Sequence, residues 1–78
     1  MHNNQIIKMA RLCDLLIKNS GLEAEQIQKK LNISRRTFFR YLDELRTFGA
    51  LIIYEKQTNC YSLENEFDVL AYFAEKVV

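Results

Sequence analysis

The stretch from Ile27 to Leu45 constrains this chain more than any other part of it. Two apolar stripes, Ile27/Leu31 and Phe38/Leu42/Leu45, repeat at helical spacing, and only Asn32, Ile33 and Ser34 lie between the two helices, 24–31 and 35–48, that carry them. Residues at i, i+4 and i+7 share one face of a helix, so each stripe has one side to bury. A three- to four-residue turn leaves few arrangements in which both helices reach one core. Ser34 marks where the second begins, because its hydroxyl can accept from an orphan amide of the first turn. Gly49 marks where it stops, after Phe48.

The remaining elements follow from the same signals. Residues 4–18 read as a helix with Ile6, Met9, Cys13 and Leu16 on one face, widened by Leu12 and Leu15 and stopped at Ser20-Gly21. Residues 24–31 read as a short helix whose start is marked only by the charge of Glu23. Leu51-Ile52-Ile53-Tyr54 is β-branched and aromatic and reads as a strand; Gln57-Thr58-Asn59 is a turn, and Cys60-Tyr61-Ser62-Leu63 returns. Asn65 then reads as the cap of a last helix over 66–78. Glu66 and Asp68 fall in its first turn, Lys76 in its last, and Phe67, Leu70, Ala74 and Val77 form a stripe. The expected fold is mainly α: three helices, a small β-hairpin wing, and a C-terminal helix. Residues 1–64 form the body and 65–78 the added helix of one compact unit.

Size and composition remove several classes of function. A chain of 78 residues builds a thin core. Its longest apolar run, Ala50 to Tyr54, is far short of the ~20 residues a membrane span needs. The polar N-terminus carries no secretion signal, so the expected location is cytoplasmic. Cys13 and Cys60 sit in apolar stretches and read as reduced core thiols. His2 is the one histidine, no Cys-x-x-Cys spacing occurs, and the two glycines make no phosphate loop. No metal, cofactor, small-molecule effector or catalytic constellation is therefore expected, and an enzyme is the poorest class for this chain.

The formal net charge is only +1, but it is unevenly spread. Residues 28–46 carry Lys29, Lys30, Arg35, Arg36, Arg40 and Arg46 against Asp43 and Glu44, while residues 64–78 hold four carboxylates and Lys76. A basic block beside an acidic tail is the footprint of a nucleic-acid contact that the total conceals. On a helical wheel of 35–48, Arg36 and Arg40 point directly away from Phe38, Leu42 and Leu45. A charged outer face is ordinary for any amphipathic helix. Here, however, the outward charges of the first two turns are all arginine. That favours DNA contact, through the fit of the guanidinium to guanine and phosphate.

The run Ile33-Ser34-Arg35-Arg36-Thr37-Phe38-Phe39-Arg40-Tyr41-Leu42-Asp43-Glu44-Leu45, with Arg11-Leu12, Leu15-Leu16, Ile27 to Leu31, Gly49-Ala50 and Tyr61-Ser62-Leu63 around it, resembles the N-terminal winged helix-turn-helix of DeoR-like bacterial transcription regulators. The likeness covers roughly residues 6–63. It departs at Tyr41, Leu51 and Cys60, where that family often has aspartate, proline and glycine, and in stopping where relatives usually continue into a ligand-sensing domain. The resemblance implies that helix 35–48 lies in the DNA major groove.

The expected DNA-binding set is Ser34, Arg35, Arg36, Thr37, Phe39, Arg40, Asp43 and Lys56. Arg36 and Arg40 read base edges or lock the register; Arg35, Ser34 and Lys56 meet the backbone. Phe39 reads equally well as packing against the second helix and as touching a thymine methyl, and Tyr41 reads as structural. The expected partner is double-stranded DNA. The wide apolar arc of residues 66–78 points to a homodimer through the C-terminal helix, against the simpler reading that this helix folds back on residues 4–18. A protein-binding winged helix and a small phage or plasmid replication or excision factor are the alternatives.

Overall fold

The computed structural model describes residues 4–17 and 21–77. The expected end of the first helix at Lys18, the Ser20 of its stop, His2, Val78 and the side chains of Lys76 and Val77 lie outside the described residues. Within them the order is α1 (Asn4–Ile17), α2 (Ala24–Leu31), α3 (Arg35–Phe48), β1 (Ile52–Glu55), β2 (Cys60–Leu63) and α4 (Val69–Val77). This is a mainly helical winged helix-turn-helix.

The predicted stripes become the core. Met9, Leu12, Cys13 and Leu16 of α1, Ile27 and Leu31 of α2, and Phe38, Tyr41, Leu42 and Leu45 of α3 are all buried. The turn between α2 and α3 is built by Asn32, which takes the left-handed conformation at φ 57°. Its amide donates to the Lys29 carbonyl at 3.2 Å, and the Ile33 amide donates to the Gln28 carbonyl at 3.0 Å. These bonds satisfy carbonyls that a helix end otherwise orphans. The start of α2 is better marked than its sequence implied, since Glu23 and Gln26 form a capping box in which Gln26 reaches back and accepts the Glu23 amide at 2.8 Å.

β1 and β2 pair antiparallel, with Ile52 opposite Leu63 and Tyr54 opposite Tyr61. Ile52 and Leu63 face the core, while Cys60, three residues from Leu63, is buried on the other face. Leu51, expected as the first strand residue, lies just before β1 and is exposed. The hairpin turn closes on Asn59, in the left-handed conformation at φ 59°, whose amide donates to the Glu55 carbonyl at 2.8 Å. Asparagine tolerates that conformation well, so glycine is not required there. Cys60, the departure noted in the sequence, lies in β2 and forms an isolated antiparallel bridge with Glu23, which ties the start of α2 to the hairpin.

The C-terminal segment corrects two expectations. Asn65 does not cap a helix. Its side-chain oxygen accepts the Leu51 amide and its nitrogen donates to the Gly49 carbonyl, each at 2.9 Å, so it staples the two ends of the hairpin together. The cap is Asp68, whose carboxylate accepts the Ala71 amide at 3.1 Å, and the helix therefore begins at Val69 rather than at 66. The face that α4 buries is also rotated from the one expected. Val69 is buried and Phe73 packs on the core, while Tyr72, which is outside the expected stripe, stacks on Phe48 at 4.6 Å. Leu70, placed on the apolar side, is 59% exposed. A ring stacked on a ring buries more surface than Leu70 offers, and that decides the rotation. The helix does fold back against α1.

Two measurements test this packing. Phe38 is fully buried, so Phe38→Ala should cost about 3–5 kcal/mol. That is a large share of the ~5–15 kcal/mol of a typical domain, and it should appear as a large fall in the urea midpoint. The second concerns Cys13, a free buried thiol. Burial first, then the charges of Asp68 and Asp14, push its pKa from 9.0 up to about 11. The unfolded chain thus ionises first. The contribution is complete below pH 9 and is lost as pH rises from 9 towards 11. Urea titrations across that range should show the parent's advantage over Cys13→Ala shrinking by up to about 2–3 kcal/mol.

Candidate nucleic-acid interface

The candidate interface is built on α3, and its position is set by the side of α3 that is buried. Phe38, Leu42 and Leu45 are at 0% exposure and fix the helix rotationally. Arg35, Arg36 and Arg40 are then exposed. Ser34 caps the helix as expected. Its hydroxyl oxygen accepts the Thr37 amide at 3.1 Å, and its proton goes to the Thr37 hydroxyl at 3.0 Å. Ser34 and Thr37 therefore satisfy each other, and the Ser34 proton expected to reach phosphate is engaged within the chain.

Among the described residues Arg36 makes no hydrogen bond or ion pair, and Arg40 has only the ring of its neighbour Tyr41, 5.7 Å from the guanidinium carbon. Two charged neighbours that would neutralise this face are drawn aside. Glu44 is half-buried and accepts from the Gln5 side chain of α1 at 3.3 Å. Asp43 is exposed, and its carboxylate leans towards Arg46 at 4.0 Å. A pair so long and so solvated is worth little in stability, but it sets where the charge sits.

Arg46 was counted only as charge in the sequence. Its second guanidinium nitrogen donates to the Ile52 carbonyl at 3.2 Å, so it fastens the base of the hairpin to α3. No pattern in the sequence signals that bond, because it depends on where β1 begins.

Phe39 is half-buried. It meets Phe38 edge-on at 5.0 Å and Tyr61 of β2 at 6.2 Å, with the Arg35 guanidinium 5.6 Å from its ring centre. The hairpin is thus a packing partner that the sequence reading had not considered. Tyr61 also lies 4.8 Å from Tyr54 across the strands. Burial first, then Tyr54, raise the Tyr61 phenol above its ordinary pKa, with Arg46 and Arg35 pulling the other way. The Tyr54 hydroxyl donates to the Asn59 side chain and braces the turn. This aromatic brace was legible in principle from the pairing of Tyr54 with Tyr61, once the turn is fixed at Asn59. Lys56 is exposed in that turn and makes no hydrogen bond or ion pair among the described residues.

Among the described residues no group of His, Cys, Asp and Glu side chains could hold a metal ion, and no helix is long and apolar enough to cross a membrane. No curated protein and no solved structure matches the chain significantly. A family model described as an HTH domain matches residues 4–61, from the start of α1 to Tyr61 in the returning strand. The match takes in α2, the Asn32 turn and all of α3, and it supports a DNA-binding helix-turn-helix. With that match over most of its length and the matching fold, the chain belongs to the HTH-domain family.

Proposed function

We propose that this chain is a sequence-specific double-stranded DNA-binding protein, a bacterial transcription regulator of the DeoR-like kind, acting in the cytoplasm with α3 in the major groove. The observation that carries the reading is the state of Arg36 and Arg40. Both are exposed on the face of α3 turned away from its buried stripe, while Glu44 is held by Gln5 and Asp43 leans on Arg46. A guanidinium presents a planar fork of donors that matches guanine O6/N7 or a phosphate.

Roles divide by position. Arg36 and Arg40 read base edges, and Thr37 and Asp43 border them. Arg35, at the helix start, and Lys56, in the wing turn, meet phosphates. Ser34 serves chiefly by setting the helix start. Phe39, packed on Tyr61, holds Arg35 in place and leaves only its outer edge for a thymine methyl. Nothing in this reading calls for a cofactor, an effector or a chemical step. It does call for a second copy of the chain, because two recognition helices about 34–36 Å apart match a palindromic site.

The test begins with selection of bound duplexes from a random pool. On the preferred site, Arg36→Ala and Arg40→Ala should each cost about 1–3 kcal/mol in affinity. Their melting temperatures should move little, because both side chains are exposed and Arg40 has only its contact with the Tyr41 ring. Anisotropy titrations read the first quantity and thermal melts the second. Equal binding by parent and double variant would remove α3 from the contact.

A further inference from the structure

α3 has a different neighbour on each flank. On one, Phe39 packs against Tyr61 of the hairpin, with Arg35 over the Phe39 ring. On the other, Glu44 accepts from Gln5, so the flank that carries Arg40 and Glu44 lies along α1. Lys8 follows Gln5 by one turn on that edge of α1. Its ammonium donates to the Asn32 carbonyl at 3.5 Å, in the turn that leads into α3. One turn further on, Arg11 shares a recess of about 350 Å³ with Lys30 at the end of α2. Lys8, Arg11 and Lys30 thus follow one another along the border between α1 and α2.

We propose that this ridge of Lys8, Arg11 and Lys30 binds the phosphate backbone of duplex DNA, on the side of α3 opposite to the hairpin. The proposal deepens the reading above and rests on α3 as the groove helix. A helix in the major groove, about 12 Å wide, has a phosphate strand on either side of it. The hairpin side offers Arg35 and Lys56 to one strand. The α1 side offers the ridge to the other. None of its three residues belonged to the expected DNA-binding set, because the ridge joins two helices and exists only once they are packed.

The simpler account is the dipole of α2. Lys30 lies in its last turn and Lys8 bonds to a carbonyl just past it, where positive charge is favoured. That account covers two of the three cations. It does not cover Arg11, which is exposed in the middle of α1. Arg11 and Lys30 make no hydrogen bond or ion pair among the described residues, and Lys8 spends one of its three donors. Asp14 is the one carboxylate among the residues lining the recess, so the ridge stays basic. Flexible cations on long stems suit phosphates, which act as point charges and ask for no fixed register.

The experiment is anisotropy titration of the full chain on its preferred duplex and on a scrambled duplex of equal length, at salt concentrations from about 50 to 200 mM. Lys8→Gln, Arg11→Gln and Lys30→Gln should each flatten the fall of log K with log salt by about 0.9. Each should weaken both duplexes by the same factor and leave the preference between them unchanged. Ala74→Glu makes the same change in net charge on the exposed side of α4 and should keep the parent's slope. A role in the helix dipole alone would lower the melting temperature and leave the slope unmoved. Three ridge variants with the parent's slope, or an Ala74→Glu variant that flattens it as much, overturn the proposal. So does a parent that binds polyglutamate as tightly as a duplex of equal charge. The Arg36→Ala, Arg40→Ala double variant keeps the two readings apart. Its loss of preference beside unmoved ridge slopes leaves the α3 reading standing without the ridge. Flattened ridge slopes beside full binding by that double variant uphold the ridge and remove only base reading by α3.

Discussion

Phe38 is the contact on which the rest of this small structure depends. It is fully buried, one turn into α3, and meets Phe39 on its own helix and Tyr61 on the hairpin through ring edges at 5.0 and 5.7 Å. One ring therefore joins α3 to the hairpin while filling the centre of the core. Edge-to-face pairs have directional preference as well as buried area, so they fix orientation and not only proximity. The outward aim of Arg36 and Arg40 follows from that anchoring, because rotation of α3 about its axis would pull Phe38 out of its site.

The distribution of charge follows from the same geometry. Four arginines lie on α3. Three are left to solvent and rings, and the fourth, Arg46, is turned to the hairpin carbonyl. The glutamate of the helix is engaged with α1. The basic face thus arises less from an excess of cations than from where the anions are held, which is why a net charge of +1 misleads.

The sequence was most legible where a local rule had no competitor. The stripes of α1, α2 and α3, the Ser34 cap and the Gly49 stop depend on residues within a turn or two, and the structure has them where they were expected. It was least legible where two residues could do the same task. Asn65 and Asp68 are both good helix caps, three positions apart. What separates them is that Asn65 has Gly49 and Leu51 within reach, a fact of tertiary structure. The rotation of α4 escaped for the same reason, since Tyr72 is polar on a wheel and apolar against Phe48. The outward arginines were visible as a pattern. The hairpin bond of Arg46 and the Tyr61 packing of Phe39 were not, because both cross between elements whose separation in the chain hides their contact.

Asn65 and Arg46 together close the hairpin at its base, with bonds to Gly49, Leu51 and Ile52. Beyond that closure the tip, from Lys56 to Asn59, is exposed and carries none of the core. The length of the wing is thereby uncoupled from the stability of the body. Lengthening a flexible loop costs little, about 0.6 kcal/mol per doubling, once its ends are held. Residues inserted at the tip would lengthen the wing while the buried face of α3 kept its place in the core. In a lineage of such chains, the hairpin tip and the exposed face of α3 can vary independently of each other and of the fold.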